Sequence, residues 1–201
     1  MVYLSFNSIL SIQICKGDIV PKILLSLILI VSLSSASWIG TLKPDKKVGN
    51  ISLSMGQVTI ESETNPLYSL DFGGNYYYDN GFLMGATFGL GYTENPNSLI
   101  DNKNIFELNG RFKLGYSFNK TEKGLALYGL TDFSYLMYNR LDSQLEDKAS
   151  FAQGTGFGGG LEYRFSNDWL LSASYTRTNM TPDSGANFDY DKTLLGVGYT
   201  F

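Results

Sequence analysis

The chain has 201 residues, with 22 Gly, 14 Tyr, 13 Phe, 2 Trp, one Cys, no His and a formal net charge of −4. The missing His excludes Ser-His and Cys-His nucleophilic pairs and imidazole metal sites, and one Cys excludes an internal disulfide or a Cys-rich zinc site. An acidic chain without Lys/Arg clusters is unsuited to nucleic acid, and 17% charged residues is low against the ~25% of soluble domains.

The first element is a leader. Lys22 precedes an apolar run from Ile23 to Leu33, and the small residues Ser34, Ser35 and Ala36 follow it. This order predicts a secretory signal peptide over residues 1–36, cut after Ala36, with translation starting nearer Val20. The run is short of the ~20 apolar residues of a membrane-spanning helix. Cys15 precedes the run and would leave with the leader, as suits an oxidising compartment. A short periplasmic segment over 37–47 is expected to precede the domain.

From residue 48 the dominant period is two, the signature of strands. The first strand, Ile51 to Ile60, begins with Ile51, Leu53 and Met55 on one face and slips to Val58 and Ile60, which predicts a bulge near Gly56. The second sets Tyr68, Leu70, Phe72, Gly74, Tyr76 and Tyr78 against Ser69, Asp71, Gly73, Asn75 and Tyr77. The third places Phe82, Met84, Ala86, Phe88, Leu90 and Tyr92 on its greasy face. The fourth is the cleanest: Phe106, Leu108, Phe112, Leu114, Tyr116 and Phe118 alternate with Glu107, Asn109, Arg111, Lys113 and Ser117. Leu125, Leu127, Phe133, Tyr135 and Met137 mark the fifth strand, and Phe157, Leu161, Tyr163 and Phe165 the sixth. Trp169, Leu171 and Tyr175 mark the seventh, and Leu195, Val197, Tyr199 and Phe201 the eighth. Short turns at 79–81, 119–123 and 166–168 alternate with connections at about 61–66, 93–104, 140–153 and 177–190, mostly longer. This pattern predicts an all-β, eight-stranded, antiparallel up-and-down barrel over 48–201.

Alternation alone does not orient a barrel. A soluble lipocalin-like barrel puts its apolar face inside, and a membrane barrel the reverse. Four features favour the membrane. The polar face is rich in Gly, Ser and Thr rather than Lys and Glu. Tyr76, Tyr78, Phe82, Tyr116, Phe118, Phe165, Trp169, Tyr199 and Phe201 fall near the short turns. Tyr68, Tyr92, Phe106, Phe157 and Tyr175 fall toward the long loops, giving two interfacial aromatic belts. A leader comes first, and alternating apolar residues run to Phe201.

Leu195-Gly-Val-Gly-Tyr-Thr-Phe201 resembles the C-terminal signal of Gram-negative outer-membrane proteins. Gly156-Phe-Gly-Gly-Gly-Leu-Glu-Tyr-Arg-Phe165 followed by Ser-Asn-Asp-Trp169 resembles the penultimate hairpin of the OmpA-like outer-membrane β-barrel family. The resemblance covers about 48–201. It implies an integral outer-membrane protein contacting lipid and lipopolysaccharide, and recognition of Leu195, Val197, Tyr199 and Phe201 by the barrel-assembly machinery. It stops short of the peptidoglycan-binding domain of full-length OmpA, so cell-wall tethering is not expected. The longer connections become extracellular loops able to meet a host or surface ligand. A monomer is expected.

The inward face carries Asp71, Glu107, Arg111, Lys113, Asp132, Glu162 and Arg164. Unpaired charge is costly in a narrow lumen, so Glu107, Arg111, Lys113, Glu162 and Arg164 are expected to form one salt-bridge network that plugs it. A gated ion path is the sharper alternative. The inward Leu83, Leu130, Leu136, Leu170 and Leu194 leave open an OmpW-like channel for small amphipathic molecules. Gly154-Thr-Gly156-Phe-Gly-Gly159 matches G-x-G-x-x-G, but a strand pattern follows instead of a helix, so no nucleotide site is expected. The lipid-modifying and proteolytic barrel families use His, which argues against catalysis. Asp142, Glu146, Asp147, Asp183 and Asp189 read as solvated loop charges, and no cofactor or metal site is expected.

Overall fold

A computed structural model of the chain describes residues 44–60, 62–94, 104–141, 147–183 and 186–201. They form β1 (Lys46–Ile60), β2 (Glu63–Tyr77), β3 (Phe82–Glu94), β4 (Asn104–Ser117), β5 (Gly124–Leu141), β6 (Asp147–Arg164), β7 (Trp169–Pro182) and β8 (Phe188–Thr200). Each strand pairs antiparallel with the next and β8 pairs with β1, so the sheet closes and leaves no barrel edge. The expected leader, and the loop tips at 95–103, 142–146 and 184–185, lie outside the described residues.

The register fixes the stagger. Partners lead from Asn50 through Gly73, Thr87, Arg111, Asp132, Gly156, Thr178 and Tyr190 back to β1 at Ile60, ten residues above the start. For eight strands this shear corresponds to a tilt of about 40° and a bore about filled by side chains.

The turn-side hairpins close tightly. Tyr78 N donates to Phe82 O at 3.1 Å, Phe118 N to Leu125 O at 3.0 Å and Phe165 N to Trp169 O at 2.9 Å. Gly81 has φ +88°, a region that L side chains avoid. A Cβ there would also stand 2.6 Å from the Tyr116 ring. Asp168 holds φ +69°, which a short Asp side chain tolerates.

On the loop side the strands run further than their polarity suggested. β5 continues to Leu141, β6 starts at Asp147, and β7 and β8 are separated only by 183–187. Much of the connections expected at 140–153 and 177–190 is therefore strand. β1 carries no bulge. It pairs residue for residue with both neighbours, and Val58 and Ile60 point inward, 0% and 4% exposed. Gln57 and Thr59 point outward instead. On β1 the apolar face changes sides, outward at Ile51, Leu53 and Met55 and inward at Val58 and Ile60, as expected where lipid outside the strand gives way to water. The G-x-G-x-x-G stretch lies wholly within β6.

The inward residues stack in layers. Near the loops Val58, Ile60, Leu67, Ile105, Leu136, Tyr138, Ala152, Met180, Phe188, Tyr190 and Leu194 form one apolar cluster. Near the turns Val48, Tyr77, Leu83 and Ala126 form a smaller one. Buried charges lie among the remaining inward residues.

Candidate functional site

The inward charges fall into three groups rather than one network. Asp71 pairs with Arg111, and accepts from Ser54 Oγ at 3.1 Å and Ser69 Oγ at 2.9 Å. Arg111 Nε also donates to Asn109 Oδ1 at 3.1 Å. These residues share the lumen because all sit on inward positions of β1, β2 and β4.

Lys192 on β8 centres the second group. Its Nζ donates to Glu107 Oε1 at 2.6 Å, Asp132 Oδ2 at 2.8 Å and Ser134 Oγ at 3.0 Å. Ser134 Oγ lies 2.7 Å from Glu107 Oε1 and 2.6 Å from Asp132 Oδ2. Thr178 Oγ1 donates to Asp132 at 3.1 Å and Tyr190 Oη to Glu107 Oε2 at 3.2 Å. Lys192 is 2% exposed. Two carboxylates this close are tolerable because a cation and hydroxyl donors stand between them.

Glu162 centres the third group. It accepts from Asn75 Nδ2 at 2.8 Å, Tyr77 Oη at 3.0 Å and Lys113 Nζ at 3.4 Å. Arg164 NH2 stands 3.9 Å from the same carboxylate, and its guanidinium lies 5.1 Å from the Tyr77 ring centre. Lys113 Nζ lies 4.7 Å from the Tyr128 ring centre, close enough for cation–π attraction.

Sequence reasoning placed Asp71, Glu107, Arg111, Lys113, Asp132, Glu162 and Arg164 on the inward face, where the structure has them buried. It linked Glu107 to Arg111 and Lys113, whereas Glu107 pairs with Lys192. Lys192, Tyr190, Tyr77, Asn75 and Tyr128 were missed as members of the site. The signal for Lys192 was present: Tyr190, Lys192 and Leu194 continue the inward phase of β8. It was obscured by the polar outward residues: Asp189 fell in the connection expected at 177–190, and Asp191 and Thr193 broke the apolar alternation that marked β8 from Leu195. With Lys192 added, the described lumen charges are four acidic and four basic, where the sequence reading gave four and three.

A polar cavity remains beside Arg111 and Lys113, lined also by Ser52, Ser54, Thr87, Ser172 and Ser174. It offers about 20 Å³, and one water needs ~10–15 Å³.

Outside, Leu195, Val197, Tyr199 and Phe201 are all exposed, and Phe201 exchanges backbone bonds with Gly49 at 2.8 and 2.9 Å. Tyr76, Tyr116, Phe118, Phe165 and Trp169 are exposed near the turns, and Phe82 is partly exposed. Trp169 meets Tyr199 edge-on at 6.2 Å. Tyr78 departs from the belt. It lies past the end of β2, 6% exposed, folded against Phe82 with its hydroxyl on Met84 Sδ at 3.7 Å.

Two ion pairs tie the turns together. Lys123 hydrogen-bonds Asp168 and holds that carboxyl below the ordinary aspartate range. Burial alone would raise the Glu122 carboxyl, but the bond from Lys46, a backbone hydrogen bond and the charges of Lys46 and Lys123 together outweigh it, and the net shift is downward.

A closed eight-stranded barrel with lipophilic residues outside and paired charges inside is a transmembrane β-barrel. The model of the outer membrane protein beta-barrel domain matches residues 23–201, and the chain belongs to that family of integral outer-membrane proteins. Its fold is similar to that of Ail, the attachment invasion locus protein of Yersinia pestis (TM-score 0.54, 14% identity, covering 77% of this chain and 98% of that one). Neisserial surface protein A is similar too, at TM-score 0.54 and 13% identity over 77% and 97%. Ail in complex with the heparin analogue sucrose octasulfate matches at TM-score 0.54 and 15% identity over 77% and 98%. No curated protein matches the chain.

Proposed function

We propose that this protein is a non-catalytic barrel with a closed lumen, serving outer-membrane integrity and surface contact through its extracellular end. The observation that carries the reading is the filled bore: charges paired side to side, capped toward the loops by the apolar cluster around Leu136, Met180 and Tyr190. Planar-bilayer recording tests it. The purified barrel should give no reproducible discrete openings in 1 M KCl, and regular unitary steps would refute closure. The second reading, a narrow path for ions or small amphipathic molecules, draws on the serine-lined cavity beside Arg111 and Lys113.

The surface ligand should be neutral or cationic. Segments 61–66, 93–104, 140–153 and 177–190 carry nine Asp/Glu against four Lys/Arg, a field that repels polyanions. The heparin analogue held by Ail therefore does not transfer to this chain. In detergent, the barrel should pass a heparin column at physiological ionic strength. Retention that salt elutes would reverse this choice of ligand charge.

A further inference from the structure

The outward apolar face is not equally tall around the barrel. On β7 it runs from Trp169 to Tyr175, and on β8 from Phe201 to Leu195, seven residues each. On β5 it runs from Leu125 to Met137, and on β4 with its turn from Phe118 to Phe106, thirteen residues each, interrupted only by Thr131, Gly110 and Gly129. All four begin at the turn-side aromatic belt. With one common tilt, seven residues rise about 18 Å and thirteen about 33 Å. The usual apolar band is about 25 Å tall. One wall is too short for a flat membrane and the opposite wall too tall.

What stands above the short wall is hydrophilic. Thr193 and Asp189 on β8, Asn179 on β7 and Gln57 on β1 are exposed. Arg177, its side chain 61% exposed, pairs with Asp189 and lies 3.8 Å from Asp191. At comparable distances from the turn-side belt, the tall wall still presents Leu108, Phe133 and Tyr135. Its upper limit is marked by Tyr92, whose hydroxyl donates to Asn104 at 2.9 Å while its ring packs on Phe106 at 5.4 Å. An apolar body with a wetted hydroxyl is the chemistry of an interfacial tyrosine.

We propose that the outer leaflet meets this barrel obliquely. Lipid head groups descend to the level of Tyr175 and Leu195 on the β7–β8–β1 wall, while hydrocarbon climbs to Phe106 and Met137 on the β4–β5 wall. The short wall is a head-group-binding face, where Arg177 and the threonine and asparagine side chains meet phosphate and sugar oxygens. Burying Asp189 and Arg177 in hydrocarbon, the alternative for a flat membrane at the taller limit, is far costlier than thinning or tilting.

The test is a depth measurement on single-cysteine spin-labelled barrels in a Cys15→Ser background, in dimyristoylphosphatidylcholine vesicles. Heat-modifiable gel migration first confirms that each variant is folded. Labels at Thr193→Cys and Asn179→Cys should collide mainly with an aqueous nickel chelate. Labels at Phe106→Cys and Met137→Cys should collide mainly with dissolved oxygen, although they lie further along their strands from the turn side. Thr193 in the oxygen-rich zone overturns the proposal. So does Met137 in the nickel-rich zone, which would leave the β4–β5 crest in water and make it a protein-contact surface.

Discussion

Lys192 stands at the centre of one of the three lumen groups. It is the cation between Glu107 and Asp132, and both carboxylates remain buried if it is removed. Lys192→Met should therefore lower the unfolding free energy by about 3–5 kcal/mol, the usual consequence of stranding a buried charge. Urea titration in phosphatidylcholine vesicles, followed by tryptophan fluorescence, measures this. A loss below ~1 kcal/mol would show that the carboxylates are not held by Lys192. Asp168 gives a contrasting case outside the membrane. Its carboxyl is depressed by Lys123, so the stability it contributes is present above the ordinary aspartate value of about 3.9 and is lost as pH falls through the depressed one. A carbon NMR titration should place its midpoint below about 3.9, and Lys123→Met should return it toward that value. An unmoved midpoint would mean that the ion pair does not persist in solution.

At the scale of elements, β1 shows how much of the fold the residues declared. Period-two alternation gave all eight strands, because lipid outside and small polar side chains inside leave each face chemically uniform. It failed at the loop-side ends. Above Met55 the apolar residues move from the outward to the inward face, which alternation alone cannot tell from a bulge. The same inversion hid the upper parts of β7 and β8, and Lys192 with them. The partners of Glu107 were illegible for another reason: lumen pairing depends on a shear that no single strand encodes. The inversion is testable. Val58→Asp places a charge in the loop-side apolar cluster, and Gln57→Asp places one in water. The first should cost several kcal/mol in the same urea assay, or prevent refolding, and the second less than about 0.5 kcal/mol. Equal small effects would favour the bulge instead. Leu136→Ala, a plain cavity mutation in that cluster, should cost about 2–5 kcal/mol.

For the whole molecule, the barrel is a single tube in two solvents. On the β7–β8–β1 side its lower part is an inverted membrane protein and its upper part is arranged like a water-soluble barrel, with one continuous register running through both. The layered interior fills the bore with two unlike materials, paired charge and close-packed side chains. Removing either alone leaves the other in place. Single lumen variants should therefore remain non-conducting unless they also unbalance the charge.

That balance has its own consequence. Among the described residues, four buried carboxylates face four buried cations, so their charges sum to zero within the bore. Neutralising any one of the eight leaves a whole elementary charge in a low-dielectric tube. The most economical compensation is to admit water and a counter-ion. Deleting an acid should then favour anions and deleting a base should favour cations, so the ion selectivity of any leak in Glu162→Gln and Lys113→Met should be opposite in sign. On the closed-lumen reading, the identity of the lost residue should dictate which ion any leak prefers.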